Sequence, residues 1–209
     1  MKLLETANGN IPRSEEEIEK MIQEAAIHYG NFLKAFGFDF EKDENSRNTP
    51  YRVAKAWAHD LIKGSLSECP KITDFPGPNY KGMVCQTDID VVSLCSHHNL
   101  PFVGKCHAAY LPKENGKVIG LSKFNRMVDW FARRPQLQES LTKQIHEFLD
   151  QSVDNNGVIV MIEAKHSCCS NRGIGQDSTM FTAEPSGLFL TNDGGCKDEF
   201  YKFIDRLKK

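Results

Sequence analysis

Apolar residues recur at Ile18, Ile22, Ala25, Tyr29, Phe32 and Phe36, the three- and four-residue spacing of a single helix face. Ser14 followed by Glu17 has the form of a capping box just ahead of that stripe. Together they predict an amphipathic helix of about six turns that stops near Gly37. Thr49-Pro50 is a second start signal, a hydroxyl cap with proline in the first turn, and leads into Val53, Ala54, Trp57, Ala58, Leu61 and Ile62. Arg52, Lys55 and His59 fall off that stripe. The stretch "CPKITDFPGPNYKG", Cys69 to Gly82, then reads as a loop.

From about Met83 the period shortens to that of strands. "MVCQTDIDVVSLCS" and "FVGKCHAAYLP" predict two strands, and "NGK" at Asn115 predicts a turn. Phe124, Met127, Val128 and Phe131, then Leu137, Leu141, Ile145 and Phe148, return to helical spacing on either side of Pro135, which must separate two helices. "GVIVMIEAKHSCCS" and "STMFTAE" predict two more strands, and Phe200, Phe203, Ile204 and Leu207 a closing helix. The element order is helices, two strands, two helices, two strands, helix. This is an α+β arrangement, with a helical segment over residues 1–80 and a core over residues 81–209 forming one functional unit. A four-stranded antiparallel sheet with an open edge invites pairing with another copy.

Composition narrows the function classes. With 209 residues, 40% hydrophobic and 26% charged, the chain should fold around one good core. A formal net charge of −2 gives no general affinity for nucleic acid or membranes, so a site for an anion must be local. The opening "MKLLETANGNIPRSEEE" lacks the apolar core of a signal peptide, and a cytoplasmic protein is expected. Seven cysteines without a secretory signal argue against a disulfide framework and leave thiols for metal binding or burial.

The chemistry concentrates at two strand ends. "LCSHHNLP" holds Cys95-x-x-His98 with His97 between, and "KHSCC" holds His166, Cys168 and Cys169. Thiolate and imidazole are the usual zinc ligands, and two such clusters raise the odds of a metal site above what either gives alone. Three protein ligands would leave a position for water; a fourth from His97, His166 or Cys169 would close the site. His97 and His166, beside the candidate ligands, could move protons, or could equally orient those ligands or pack in the core. Arg52, Lys55, Lys123, Arg126 and Arg172 sit at predicted element ends or on helix faces away from the core, as anion clamps do. Any one of them alone is an ordinary solvated surface charge, and with no P-loop sequence present a phosphate-bearing ligand would not be held by a P-loop. Gln138 and Glu139, at a helix start, could offer an amide and a carboxylate to a polar heterocycle.

"LCSHHNLPFVGKCHAAYLP", "IGLSKFNRMVDWFARRPQLQESLTKQI" and "EAKHSCCSNRGIGQDSTMFT" together resemble the GTP cyclohydrolase I family, in its order and spacing, from about Ser14 to the last helix. The resemblance implies a T-fold (tunnelling fold) subunit, a toroidal homodecamer, and zinc-dependent opening of the imidazole ring of GTP to 7,8-dihydroneopterin triphosphate and formate. It also implies Cys95, His98 and Cys168 as zinc ligands and His97 and His166 as the proton-moving histidines. Gln138 and Glu139 would read the guanine edge, and Ser122, Lys123, Arg126, Arg172, Arg52 and Lys55 would bind the triphosphate.

Two positions depart from the family. Ser96 stands where it usually has glutamate, and Cys169 adds a thiol beside Cys168. A related T-fold enzyme of pterin or deazaguanine metabolism, and an inactive zinc-stabilised paralogue that binds a partner, are the competing readings. The paired clusters weigh against the first. His97, His166, Gln138 and Glu139 weigh against the second.

Overall fold

The computed structural model describes residues 2–77 and 79–207. Pro78, in the expected loop, and the side chain of Leu207, on the last expected stripe, lie outside the described residues. The chain divides into two compact units, Met1–Glu68 and Cys69–Lys209. Residues 69–80 group with the second unit because Asp74–Pro76 pair with Lys117–Ile119.

In the first unit, α1 (Glu15–Ala35) opens on the expected capping box. Ser14 Oγ accepts from the Glu17 N–H at 3.2 Å, and the Glu17 carboxylate accepts from the Ser14 N–H at 2.9 Å. Two N–H groups that the helix leaves open are thereby satisfied. Ile18 and Ile22 pack with Ala54, Ala58 and Leu66 into a small core. α2 (Thr49–Ala56) is preceded by Asn48, so Thr49 is its first residue rather than its cap. It continues through a π-helical turn, Trp57–Leu61, into the short α3 (Lys63–Leu66).

The second unit is built on one sheet. β1 (Asp74–Pro76) and β4 (Lys117–Ile119) form a two-stranded ribbon beside it. The main sheet has the order β5-β2-β3-β6-β7, from β2 (Val84–Cys95), β3 (Pro101–Pro112), β5 (Pro135–Gln136), β6 (Asn155–His166) and β7 (Thr179–Pro185). Its four long strands are antiparallel neighbours, as the sequence predicts. The fifth, β5, is an addition of two residues running parallel to the end of β2. Proline at 135 cannot continue a helix, so the chain between α4 (Leu121–Ala132) and α5 (Gln138–Ser152) is extended and hydrogen-bonds there. Both helices fall between β3 and β6 in sequence, although those strands are neighbours in the sheet.

Alternation along each strand then builds two cores. Phe102, Ala108, Tyr110, Val158, Val160 and Ile162 meet Phe124, Met127, Val128, Leu141, Ile145 and Leu149 of α4 and α5. Ala109, Ile159 and Met161 point to the other face and meet Phe189 of α7 (Leu188–Thr191) and Phe200 and Ile204 of α8 (Cys196–Leu207). Each fully buried side chain of this size contributes about 1.5–3 kcal/mol through the surface it removes from water. Gly104 lets β3 and β6 approach closely, since a Cβ there would run into the Glu163 carbonyl and the backbone of Ala164. Among the described residues no helix is long and apolar enough to cross a membrane.

The topology positions the chemistry. β2 and β6 are each antiparallel to the strand between them, β3, so they run the same way and end at the same edge. That edge is where β3 begins, with Phe102 opposite both Ser93 and His166.

Candidate active site

At the end of β2 the chain makes a tight turn. The N–H groups of His98 and Asn99 both bond to the Cys95 carbonyl, at 3.3 and 2.8 Å, and Asn99 takes a left-handed φ of 54°. Asparagine tolerates that conformation, which lets the chain reverse into β3. At the end of β6, Ser167–Ser170 form a single helical turn, α6, closed by the Asn171 N–H on the Ser167 carbonyl at 3.0 Å. The two turns curl toward each other across the start of β3. Ligand atoms of Cys95, His166 and Cys168 consequently lie within 4.8 Å of one another.

The donor set suits a soft divalent metal. Ligand atoms on a tetrahedral zinc stand about 3.5–3.8 Å apart, which the cluster reaches by a small contraction. Burial, and then the neighbouring Cys95 and Cys169 thiols, push the Cys168 thiol up to about 11. A crowded pair of thiols of this kind is relieved when a cation replaces their protons. Cys95 is buried, whereas Cys169 is exposed.

His166 is the most constrained group of the site. Its ring stacks on the buried Phe102, with centroids 4.6 Å apart and planes within 10°. Its Nε2 lies 2.8 Å from Gln138 Oε1. The Gln138 amide nitrogen is aimed at the Ile162 carbonyl at 3.0 Å, the Met180 carbonyl at 3.1 Å and Thr182 Oγ1 at 3.1 Å, which fixes the orientation of the amide. An amide oxygen only accepts, so the His166 proton resides on Nε2 and the lone pair on Nδ1. Burial lowers the pKa of His166 and the nearby Glu139 carboxylate opposes the shift, so burial has the larger effect.

Gln138 differs here from its expected role in reading the guanine edge. It is buried, and its donors are spent on β6 and β7 while its oxygen holds His166. The next residue, Glu139, is exposed, and among the described residues its carboxylate makes no hydrogen bond or ion pair. The sequence reading missed Phe102, Thr182 and Thr142, whose hydroxyl lies 2.6 Å from Thr182 Oγ1 and extends the network. No spacing rule would single out a phenylalanine in a strand or a threonine one turn into a helix.

The other expected residues are distributed as follows. His97 is exposed with Nδ1 3.7 Å from Cys95 Sγ. His98 is exposed, outside the thiol cluster, with Nε2 3.0 Å from Arg172 Nη1. Ser122, Lys123 and Arg126 share the first turns of α4, where a 12-residue helix presents open N–H groups suited to an anion. Arg52 and Lys55 are exposed on α2 in the first unit. Ser96 is half-buried, and its N–H bonds to the Gln136 carbonyl at 3.2 Å.

An α+β fold with paired antiparallel strands, two inserted helices and, at the shared strand edge, a thiol–imidazole cluster that could hold a metal ion is a T-fold. The family model described as GTP cyclohydrolase I matches residues 25–205. The chain is similar to GTP cyclohydrolase 1 of Hahella chejuensis, 38% identical over 188 residues that cover 88% of this chain and 97% of that protein. It is 43% identical over 182 residues to GTP cyclohydrolase 1 of Coxiella burnetii, covering 86% and 96% of the two chains. With the protein of Pseudomonas aeruginosa named GTP cyclohydrolase 1 1 it shares 44% over 185 residues, covering 87% and 96%. The chain belongs to the GTP cyclohydrolase I family.

Proposed function

We propose that this chain hydrolyses the imidazole ring of GTP to yield 7,8-dihydroneopterin triphosphate and formate, at the joint end of β2 and β6. The observation that carries the reading is the meeting of Cys95, Cys168 and His166 at the strand edge, in a chain of this family.

Cys95, Cys168 and His98 would hold zinc. The chemistry a bound zinc supplies is Lewis acidity, which brings the pKa of water down to about 7. His166, with its pKa lowered by burial, is neutral at pH 7, and its Nδ1 lone pair can take a proton. Phe102 and Gln138 hold the ring so that little orientation is lost on reaction. His97, exposed beside Cys95, is the second proton carrier. The Glu139 carboxylate accepts from the guanine N–H groups, as a carboxylate facing two donors does well. Ser122, Lys123, Arg126 and Arg172 bind the triphosphate, which orients the base without phosphoryl transfer. We take the working assembly to be a homo-oligomer, a decamer on the family's pattern, and its place to be the cytoplasm.

A second reading makes His166 itself the nitrogen ligand, since it already stands in the cluster. Two variants separate them. In the favoured reading His166→Ala retains zinc and loses activity about 10²- to 10⁴-fold, and His98→Ala loses zinc. Zinc loss from His166→Ala with retention by His98→Ala would select the second. For the function as a whole, zinc-loaded protein is incubated with GTP, and formate and oxidised-pterin fluorescence are measured. No product at any zinc loading would refute it.

A further inference from the structure

The contact of Arg172 Nη1 with His98 Nε2, at 3.0 Å, restricts what His98 can do. A guanidinium offers only donors and keeps its proton, so the imidazole must supply the lone pair at Nε2 and carry its own proton on Nδ1. A neutral imidazole has one lone pair. While Arg172 occupies it, neither nitrogen is open to a metal. The alternative geometry leads to the same exclusion: with metal on Nδ1, the proton moves to Nε2 and faces the guanidinium donor to donor.

We propose that Arg172 and the metal ion compete for His98, so that an anion drawn to Arg172 and a metal drawn to the thiol cluster strengthen each other's binding. This rests on reading His98 as a metal ligand. Arg172 is exposed, in a stretch where Gly173 and Gly175 take φ of 61° and 63° and have open space around them. An exposed side chain of this kind can leave His98 for solvent. Among the described residues its guanidinium forms no ion pair with a carboxylate, so a released Arg172 is a ready partner for phosphate, which it binds in a fork geometry. The triphosphate of the proposed substrate is such an anion. Metal binding would turn Arg172 from an imidazole donor into a phosphate donor, and by linkage the triphosphate would favour metal to the same degree.

The test is equilibrium dialysis of the full-length wild type, Arg172→Met and His98→Ala against zinc buffers, with and without inorganic triphosphate. Bound zinc is plotted against free zinc, read by a chromophoric chelator in the protein-free compartment, so that chelation by triphosphate cancels. Without anion, Arg172→Met should bind zinc about two- to tenfold more tightly than wild type, the competition of one hydrogen bond having been removed. Triphosphate should tighten zinc binding in the wild type by a similar factor and leave Arg172→Met unchanged. Equal affinities of wild type and Arg172→Met, or an equal response of both to triphosphate, would overturn the competition while leaving the metal site intact. If the wild type takes up no zinc, the metal reading itself fails. If His98→Ala binds zinc as tightly as wild type, His98 is not a ligand and the proposal goes with it.

Discussion

Gln138→Met separates a residue that positions a histidine from one that reads a substrate. Gln138 is 1% exposed, so its environment is entirely protein. Methionine nearly preserves the volume and avoids a cavity. What it removes is an amide bonded to two carbonyls, one hydroxyl and the His166 ring, at 2.8–3.1 Å. Each such bond is worth about 1 kcal/mol net, and a buried group left without its partner costs about 1–3 kcal/mol. The carbonyls of Ile162 and Met180 also lie in strands and keep other bonding capacity, so the total should be roughly 2–4 kcal/mol, measurable by urea unfolding. The His166 ring would meanwhile lose the acceptor that holds its proton on Nε2. Loss of an orienting partner of this kind costs about 10- to 100-fold in activity. That loss should appear in kcat, with KM for GTP unchanged within about twofold. A raised KM at constant kcat would mean that Gln138 contacts the substrate after all, and wild-type stability would mean that the buried network does not exist in solution.

Three further outcomes are expected. Because burial and nearby thiols hold the Cys168 proton up to a pKa of about 11, metal binding must expel it, and zinc affinity should rise by at least about tenfold per pH unit between about pH 7.5 and 9, above ordinary imidazole titration; a flat profile, with no protons released to a lightly buffered solution, would remove Cys168 from the ligand set. Gly104→Ala should destabilise the protein by about 3 kcal/mol or more in urea unfolding, because its Cβ meets backbone of β6 that cannot move aside; a cost under about 1 kcal/mol would show that β3 and β6 can separate at this point. Ser96→Glu, which restores the family's usual carboxylate beside Cys95, should leave turnover equal or higher, and a collapse would show that the turn has been rebuilt around the serine.

Much of this molecule follows from local pattern. The capping box at Ser14 and Glu17, the four alternating strands and the two helices divided by Pro135 each depend on contacts within a few residues, which spacing reports directly. The ligand-type residues were legible for a similar reason: thiols and imidazoles crowded at the polar ends of two apolar strands have few other uses. That β2 and β6 end at one edge, so that Cys95 and Cys168 meet, depends on both strands pairing with β3, and such pairing joins residues far apart in sequence.

Sequence could not divide labour among the polar residues either. Gln138 and Glu139 are adjacent and chemically similar, yet one is sealed beneath His166 and the other faces outward, because successive residues of a helix stand about 100° apart and only packing decides which side is covered. Likewise Arg172 reads as a phosphate clamp in the chain alone, and only the folded loop places it on the one lone pair of His98. The sequence determined which chemical groups are available and the elements that carry them; tertiary structure decided which of those groups are spent on one another and which remain for a metal or a substrate.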